Sequence, residues 1–155
     1  MIRRLLPLAL LVLFALPARA VAAPSTIRLV SVPIQNKITD VAPKGASKGD
    51  VVHQRTRLFN ASRQFGKPKG VYIGYDVSVV RFTSPTSAVI DVVVHLPGGT
   101  LHVHGKIFSD RTVTTYPVVG GTGVFAGVHG TGTEIDDPNE PRALNVYHLV
   151  YGTVA

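Results

Sequence analysis

The sequence predicts an all-β protein whose single domain is a closed, eight-stranded antiparallel barrel. Apolar and polar residues alternate with a period of two along most of the chain, which is typical of half-buried strands. Beyond the N-terminal segment no stretch has the period of a helix, and Gly and Pro interrupt the chain at short intervals. Such a pattern is typical of a barrel or a sandwich, and closure of a barrel hides every strand edge.

The first 22 residues are predicted to be a secretory signal peptide. Two arginines at positions 3 and 4 precede an apolar run, Leu5 to Leu16, and possible cleavage sites follow at Ala20 and Ala22. The run is too short to span a membrane, and no later segment reaches the ~18 apolar residues that a spanning helix needs. We therefore expect residues 23–155 to form the barrel domain and to be exported, either to the periplasm or to the medium.

Charge and cysteine content exclude several kinds of site. The formal charge of the whole chain is +7, and removal of Arg3, Arg4 and Arg19 lowers it to +4. The basic residues between Lys44 and Lys69 are not interleaved with aromatic residues, so we expect no nucleic-acid partner. The chain has no cysteine, which excludes disulfides, thiolate metal sites and a cysteine nucleophile.

Each predicted strand is an alternating segment bounded by residues that favour turns. A loop at 43–48, a polar connection at 60–69 and a turn at Pro85 separate the first four strands. A two-residue turn at Pro97 and Gly98 then separates the fourth strand from the fifth. In chain order, the predicted strands are Ile27–Ile34, Gly49–Phe59, Gly70–Phe82, Ala88–Leu96, Thr100–Phe108, Thr112–Val119, Phe125–Ile135 and Ala143–Val154.

A glycine-rich segment after the sixth predicted strand carries the most specific pattern. Residues 118–130 read VVGGTGVFAGVHG. This segment resembles the motif of dirigent proteins, V-V-G-G-T-G-x-F followed by a strand ending in A-R-G, and a similar segment of allene oxide cyclases. Residues 70–72, 99–105 and 145–151 resemble further segments of that family in the same order. The resemblance covers roughly residues 68–154 and implies an exported, bacterial-type member with the eight-stranded barrel of this family.

The glycines of this motif also have a structural interpretation that is independent of the family. Gly120, Gly121 and Gly123, with Thr122 among them, are predicted to form a sharp turn that requires positive φ angles. Phe125 is predicted to begin the seventh strand and to anchor it in the core. A phosphate-binding loop is not favoured, because a strand rather than a helix follows the glycines.

The resemblance implies chemistry on a lipophilic small molecule without a cofactor. Dirigent proteins steer the coupling of phenoxy radicals, and allene oxide cyclases close a fatty-acid epoxide with the help of a carboxylate. Here His129 stands in place of the family's arginine, and the first predicted strand has no carboxylate, so neither plant activity is carried over. Two functions remain: a barrel that steers cyclisation or coupling of a hydrophobic ligand, and a non-catalytic exported barrel that binds a ligand or has a structural role.

Four polar residues are candidates for a catalytic site inside the barrel. His129 follows Phe125 by an even number of residues, so it is predicted to face the lumen. His148 alternates with Val146 and Val150, which predicts the same orientation for it. Tyr72 and Asp76 share the other face of the third predicted strand, which we expect to point outward because apolar residues occupy the opposite face. The alternative is that this face points inward, which would make Asp76 a buried acid with a raised pKa beside a phenol. A buried histidine that is hydrogen-bonded within the core is the alternative for either histidine.

A second polar group lies on the fourth and fifth predicted strands. The two-residue turn pairs Asp91 with His104 and places His95 and His102 on the same face. Imidazoles and a carboxylate are suitable metal ligands, and a His–Asp pair is suitable for acid–base work. We favour the outer, solvent-facing wall of the barrel for this group, because the opposite face is entirely apolar. No metal is therefore predicted.

Overall fold

Eight β-strands form a closed antiparallel barrel in the computed structural model, which describes residues 24–152. Each strand pairs with the next, and the last pairs with the first, so the predicted fold class is confirmed. The predicted signal peptide and the end of the predicted eighth strand lie outside the described residues. The strands are β1 (Thr26–Thr39), β2 (Val51–Asn60), β3 (Tyr72–Ser84), β4 (Ser87–Leu96), β5 (Gly99–Phe108), β6 (Val113–Gly123), β7 (Val128–Asp136) and β8 (Ala143–Tyr151).

The hairpin of β4 and β5 has the register that the sequence predicts. Pro97 and Gly98 form the two-residue turn, and Gly98 has a φ of 91°. Asp91 accordingly lies opposite His104. Within the described range, no helix is long and apolar enough to cross a membrane.

Different kinds of residue line the two ends of the lumen. Apolar side chains from the start of β1 and the ends of β2 and β4 meet at one end, where Leu29, Leu58 and Val94 are fully buried. At the other end many of the inward residues are polar, and Ser31, Thr56 and Asp76 are buried there. Packing of the apolar end stabilises the barrel, and the polar end contains a cavity.

The inward face of β3 is the opposite of the predicted one. Ile73 is buried, but the register with β2 then shifts, so that Gly74 pairs with Leu58 and Tyr72 pairs with Phe59. A bulge of this kind adds one residue and reverses the alternation beyond it. Asp76 therefore faces the lumen, where we expected it to face solvent, and Val77 is 40% exposed.

The glycine motif extends a strand rather than forming a turn. Gly120, Gly121 and Thr122 belong to β6 and pair with β5, and only Gly123 of the predicted turn glycines has a positive φ, 62°. The turn follows at residues 124–127. Phe125 is fully buried, as predicted, but it lies in this turn and does not begin β7.

Close packing explains the need for glycine at position 121. A methyl group on Gly121 would lie 2.6 Å from the carbonyl oxygens of both Thr100 and Phe125, whereas one on Gly120 would meet nothing within 4 Å. We expect Gly121→Ala to lower the free energy of unfolding by about 1–3 kcal/mol, because the backbone must shift. Gly121→Val should cost more. Gly120→Ala is the matched control in urea denaturation, and equal losses in the two alanine variants would contradict this explanation.

Candidate functional site

The polar end of the lumen contains a cavity of about 330 Å³. Its walls come from β1, β2, β3, β4, β6, β7 and β8, together with residues that connect β7 to β8. Ile90, Val92 and Pro33 supply apolar wall. The polar residues that face one another across it are Ser31, Thr56, Asp76, Ser78, Tyr116, Glu134, Asn145 and Tyr147. A volume near 300 Å³ is at the lower end of the range of small-molecule sites.

Asp76 is the acid that burial perturbs most clearly. Its residue exposure is only 9%, and burial raises the pKa of its carboxyl from 3.8 to about 7. A hydrogen bond from Thr56 lowers this pKa by less than burial raises it, and the carboxyl of Glu134 raises it further. Near neutral pH both forms of Asp76 are populated, so the group can accept or donate a proton there.

A chain of hydrogen bonds crosses the cavity floor, and its direction is fixed at one end. The carbonyl of Ala143 can only accept, so the Ser31 hydroxyl donates to it at 3.3 Å. Ser31 Oγ in turn accepts from Asn145 Nδ2 at 2.8 Å. The other amide atom, Asn145 Oδ1, must then accept, and it receives the Tyr116 hydroxyl at 2.9 Å.

Glu134 lies at the free end of this chain. Its Oε2 is 3.2 Å from the Tyr116 hydroxyl oxygen. The single proton of the Tyr116 hydroxyl thus has two acceptors within reach, Asn145 Oδ1 and Glu134 Oε2. Burial also raises the pKa of Glu134, as does the nearby Asp136; the Tyr116 contact acts in the opposite direction but is smaller. Burial thus shifts Glu134 toward its neutral form, and the hydroxyl of Tyr116 opposes this shift.

The two tyrosine rings of the site lie beside a glycine of β7. A side-chain carbon on Gly132 would overlap the ring of Tyr116 and lie 3.0 Å from that of Tyr147. Gly132 pairs with Tyr116 on β6 and with Tyr147 on β8. Because glycine has no side chain, the two rings have space beside it. Burial raises the pKa of both phenols, so both are neutral donors.

Removal of the Tyr116 hydroxyl should destabilise the barrel. Tyr116→Phe leaves the buried Asn145 Oδ1 without its donor, and an unsatisfied buried acceptor costs about 1–3 kcal/mol. The measurement is the free energy of unfolding from urea denaturation. Tyr72→Phe is the control, because Tyr72 is 48% exposed, and its change should stay within about 0.5 kcal/mol. Equal effects of the two substitutions would contradict the proposed chain.

The prediction that His129 and His148 face the lumen is wrong. Both side chains are exposed on the outer wall. Gly127, with a φ of 71°, ends the turn after Phe125, so the alternation of β7 starts afresh at the buried Val128. In β8 the inward residues are Ala143, Asn145, Tyr147 and Leu149. Neither histidine therefore has geometric support for a role inside the barrel.

The remaining candidates also lie on the outer wall. Tyr72 packs edge-on against Phe59, on the far side of the bulge from Asp76. His104 Nδ1 lies 2.6 Å from Asp91, which also pairs with Arg81.

The other two histidines of the outer wall have separate partners. His95 stacks on Tyr75, and His102 contacts the Thr100 hydroxyl at 3.1 Å. Between residues 24 and 152, no three His, Asp or Glu side chains are grouped in a way that could hold a metal ion.

Sequence reasoning missed Glu134, Tyr116, Asn145, Tyr147, Ser31 and Thr56. A signal for one of them, Glu134, was present, since Gly130 and Gly132 alternate with it along β7. Glycine within a strand often marks a close approach by a neighbouring group. These glycines indicate that the even-numbered residues of β7 point inward.

The closed eight-stranded barrel is a fold that solved structures of dirigent proteins and cyclases also have. No family model and no curated protein matches the sequence. Among solved structures, a pyocyanin demethylase superimposes with a TM-score of 0.68 and 22% identity over 81% of this chain and 99% of that one. A pterocarpan synthase dirigent protein gives 0.59 and 16% identity over 80% of this chain and 85% of that one.

A cyclase barrel has the same fold. The Diels–Alderase from Streptomyces koyangensis gives a TM-score of 0.60 and 16% identity over 80% of this chain and 62% of that one. At these identities the similarity shows the fold. The predicted dirigent-like barrel is thus confirmed at the level of fold.

Proposed function

We propose that the protein binds a small molecule in the lumen and catalyses a redox-neutral rearrangement of it, a cyclisation or isomerisation, by proton transfer. The observation that supports this most directly is the pair of buried carboxyls, one with a pKa raised to about 7 and the other with a pKa raised by burial and by the nearby Asp136. Carboxyls whose pKa values are perturbed by burial in a shared cavity are common at sites of acid–base catalysis.

The roles follow from the protonation states. Asp76, as a carboxylate, removes a proton from the ligand, and the neutral phenol of Tyr116 delivers a proton to the atom where negative charge develops. One bond to hydrogen breaks and another forms, so no oxidant or reductant is required. Asn145 and Ser31 hold Tyr116 in place through the chain that ends at Ala143.

The structural neighbours support small-molecule chemistry in a barrel of this kind. Their names describe a demethylase, a Diels–Alderase and a pterocarpan synthase, and this fold is common to all of them. A non-catalytic barrel is less well supported, because burial of two carboxyls costs free energy without benefit to a purely structural protein. We also propose export, on the basis of the leader-like pattern in residues 1–22.

The test uses 5-nitrobenzisoxazole, a compact probe of base catalysis. Removal of its carbon-bound proton breaks the N–O bond and gives a coloured nitrophenolate with a nitrile. We expect the protein at pH 8 to accelerate this reaction about 10²-fold over acetate at equal concentration. The rate should rise as pH increases through about 7, where Asp76 loses its proton.

Two variants make the result specific. Asp76→Asn should reduce the rate to the acetate level, whereas Asp91→Asn, on the outer wall, should leave it unchanged. A wild-type rate equal to that of Asp76→Asn would overturn the proposed function.

A further inference from the structure

The acidic residues of the chain are concentrated at the cavity. The chain has nine Asp and Glu residues and sixteen Lys and Arg. Five of the nine acids line the cavity, namely Asp76, Glu134, Asp136, Asp137 and Glu140, and Arg142 is the single Lys or Arg among the described lining residues. A protein with net positive charge thus has an acidic lumen.

The one arginine of the cavity already has partners. Arg142 Nε lies 3.2 Å from Asp137 and 3.1 Å from Glu140, so its single positive charge is shared by two acids at the mouth. The deeper carboxyls differ. Among residues 24–152, the groups that interact with Asp76 are the Thr56 hydroxyl, the Glu134 carboxyl and the phenols of Tyr116 and Tyr147, and none of them is basic. This carboxyl is nine-tenths buried and directed into a cavity without a counter-ion.

A ligand with a positive charge would compensate this burial. An opposite charge within a few ångströms favours the ionised carboxylate, and a buried charge is tolerated when it is paired. The rings of Tyr116 and Tyr147 in the same wall can attract a cation through their faces. Ile90 and Val92 offer an apolar surface to the rest of the ligand.

We propose that the lumen selects organic cations: compact, largely apolar molecules that carry a protonated or quaternary nitrogen. The nitrogen lies against Asp76, and the apolar body packs on the wall of β4. This proposal rests on the lumenal site of the proposed function and specifies its ligand class. The hydrophobic ligand expected from the sequence is thereby refined to a ligand that is apolar in part and charged in part.

The test compares three ring systems of similar size by isothermal titration calorimetry at pH 8: N-methylquinolinium, which is cationic; quinoline, which is neutral; and 1-naphthoate, which is anionic. We expect the cation to bind about tenfold or more tightly than quinoline, and naphthoate to bind most weakly. In a protein with both Asp76→Asn and Glu134→Gln, this preference should fall to about threefold or less.

The controls separate this proposal from the proposed function. Asp91→Asn removes an acid from the outer wall and should keep the full preference for the cation. Equal binding of quinoline and N-methylquinolinium, or no binding of the cation at millimolar concentration, would overturn the cation proposal. Asp76-dependent opening of 5-nitrobenzisoxazole would in that case still support the proposed function. Cation preference without that reaction would overturn the proposed function alone.

Discussion

Asp76→Asn is expected to stabilise the protein at pH 8 while abolishing proton transfer in the lumen. A pKa raised from 3.8 to about 7 means that ionisation of Asp76 costs about 4 kcal/mol more in the folded state than in the unfolded state. At pH 8 the wild-type carboxyl is ionised and its burial opposes folding. Asparagine has a similar shape without the charge, so we expect the variant to unfold with a free energy about 2–4 kcal/mol higher.

The direction of the pKa shift determines how the free energy of unfolding changes with pH. Because the folded-state pKa lies above the unfolded value, the folded protein binds more protons between about pH 4 and pH 7. The wild-type free energy of unfolding therefore falls as pH rises through this window. The raised pKa of Glu134 acts in the same direction. Tyr116 and Tyr147, which also face Asp76, stay neutral throughout, since burial raises their pKa values.

Urea denaturation of the variant and the wild type at pH 4, 6 and 8 measures this difference. The stabilisation should be largest at pH 8 and close to zero at pH 4. Asp91→Asn is a control of opposite sign: a hydrogen bond to His104 lowers the pKa of Asp91, so that substitution removes a small stabilisation at neutral pH. A loss of stability in Asp76→Asn at pH 8 would contradict the conclusion that Asp76 is a buried carboxyl without a counter-ion.

Phe125→Ala is expected to lower the free energy of unfolding by about 3–5 kcal/mol, as is usual when a large aromatic residue in a core is truncated. The ring is fully buried in the apolar end of the lumen, among side chains such as Leu101 and Val128. Its main chain also holds the turn, because Phe125 N donates to Thr122 O at 3.1 Å and Phe125 O accepts from Val128 N at 3.2 Å. The loss of the ring leaves a cavity between strands that the turn joins.

Val124→Ala is the matched control in the same turn. Val124 is 44% exposed, so its truncation should change the free energy of unfolding by no more than about 0.5 kcal/mol. Similar melting temperatures for Phe125→Ala and the wild type would show that Phe125 does not anchor the barrel.

The fold followed from local signals, because strands and turns are specified over short stretches of sequence. The β4–β5 register was predictable since Pro97 and Gly98 leave two residues for the turn, which fixes every pair beyond it. Both faces of β8 are apolar, by contrast, so alternation could not decide whether Tyr147 or His148 points inward.

The candidate site depended on features that alternation does not show. The bulge near Gly74 reverses the alternation of β3, so that Asp76 points inward. The turn that ends at Gly127 sets which residues of β7 point inward, and Glu134 is one of them. Asp76 and Glu134 belong to β3 and β7, which do not pair with each other, and closure of the barrel brings them to one cavity. A single sequence holds little information about such a long-range meeting of side chains.

The most direct measurement is a carbon-13 NMR titration of the Asp and Glu carboxyl groups in the folded protein. We predict that Asp76 titrates with a midpoint of about 7 and that Asp91, on the outer wall, titrates below 3.8. The Asp76→Asn variant assigns the resonance by its absence. A midpoint for Asp76 near 3.8 would contradict the account, because the lumen would then hold an ordinary solvated carboxylate and no acid poised for proton transfer.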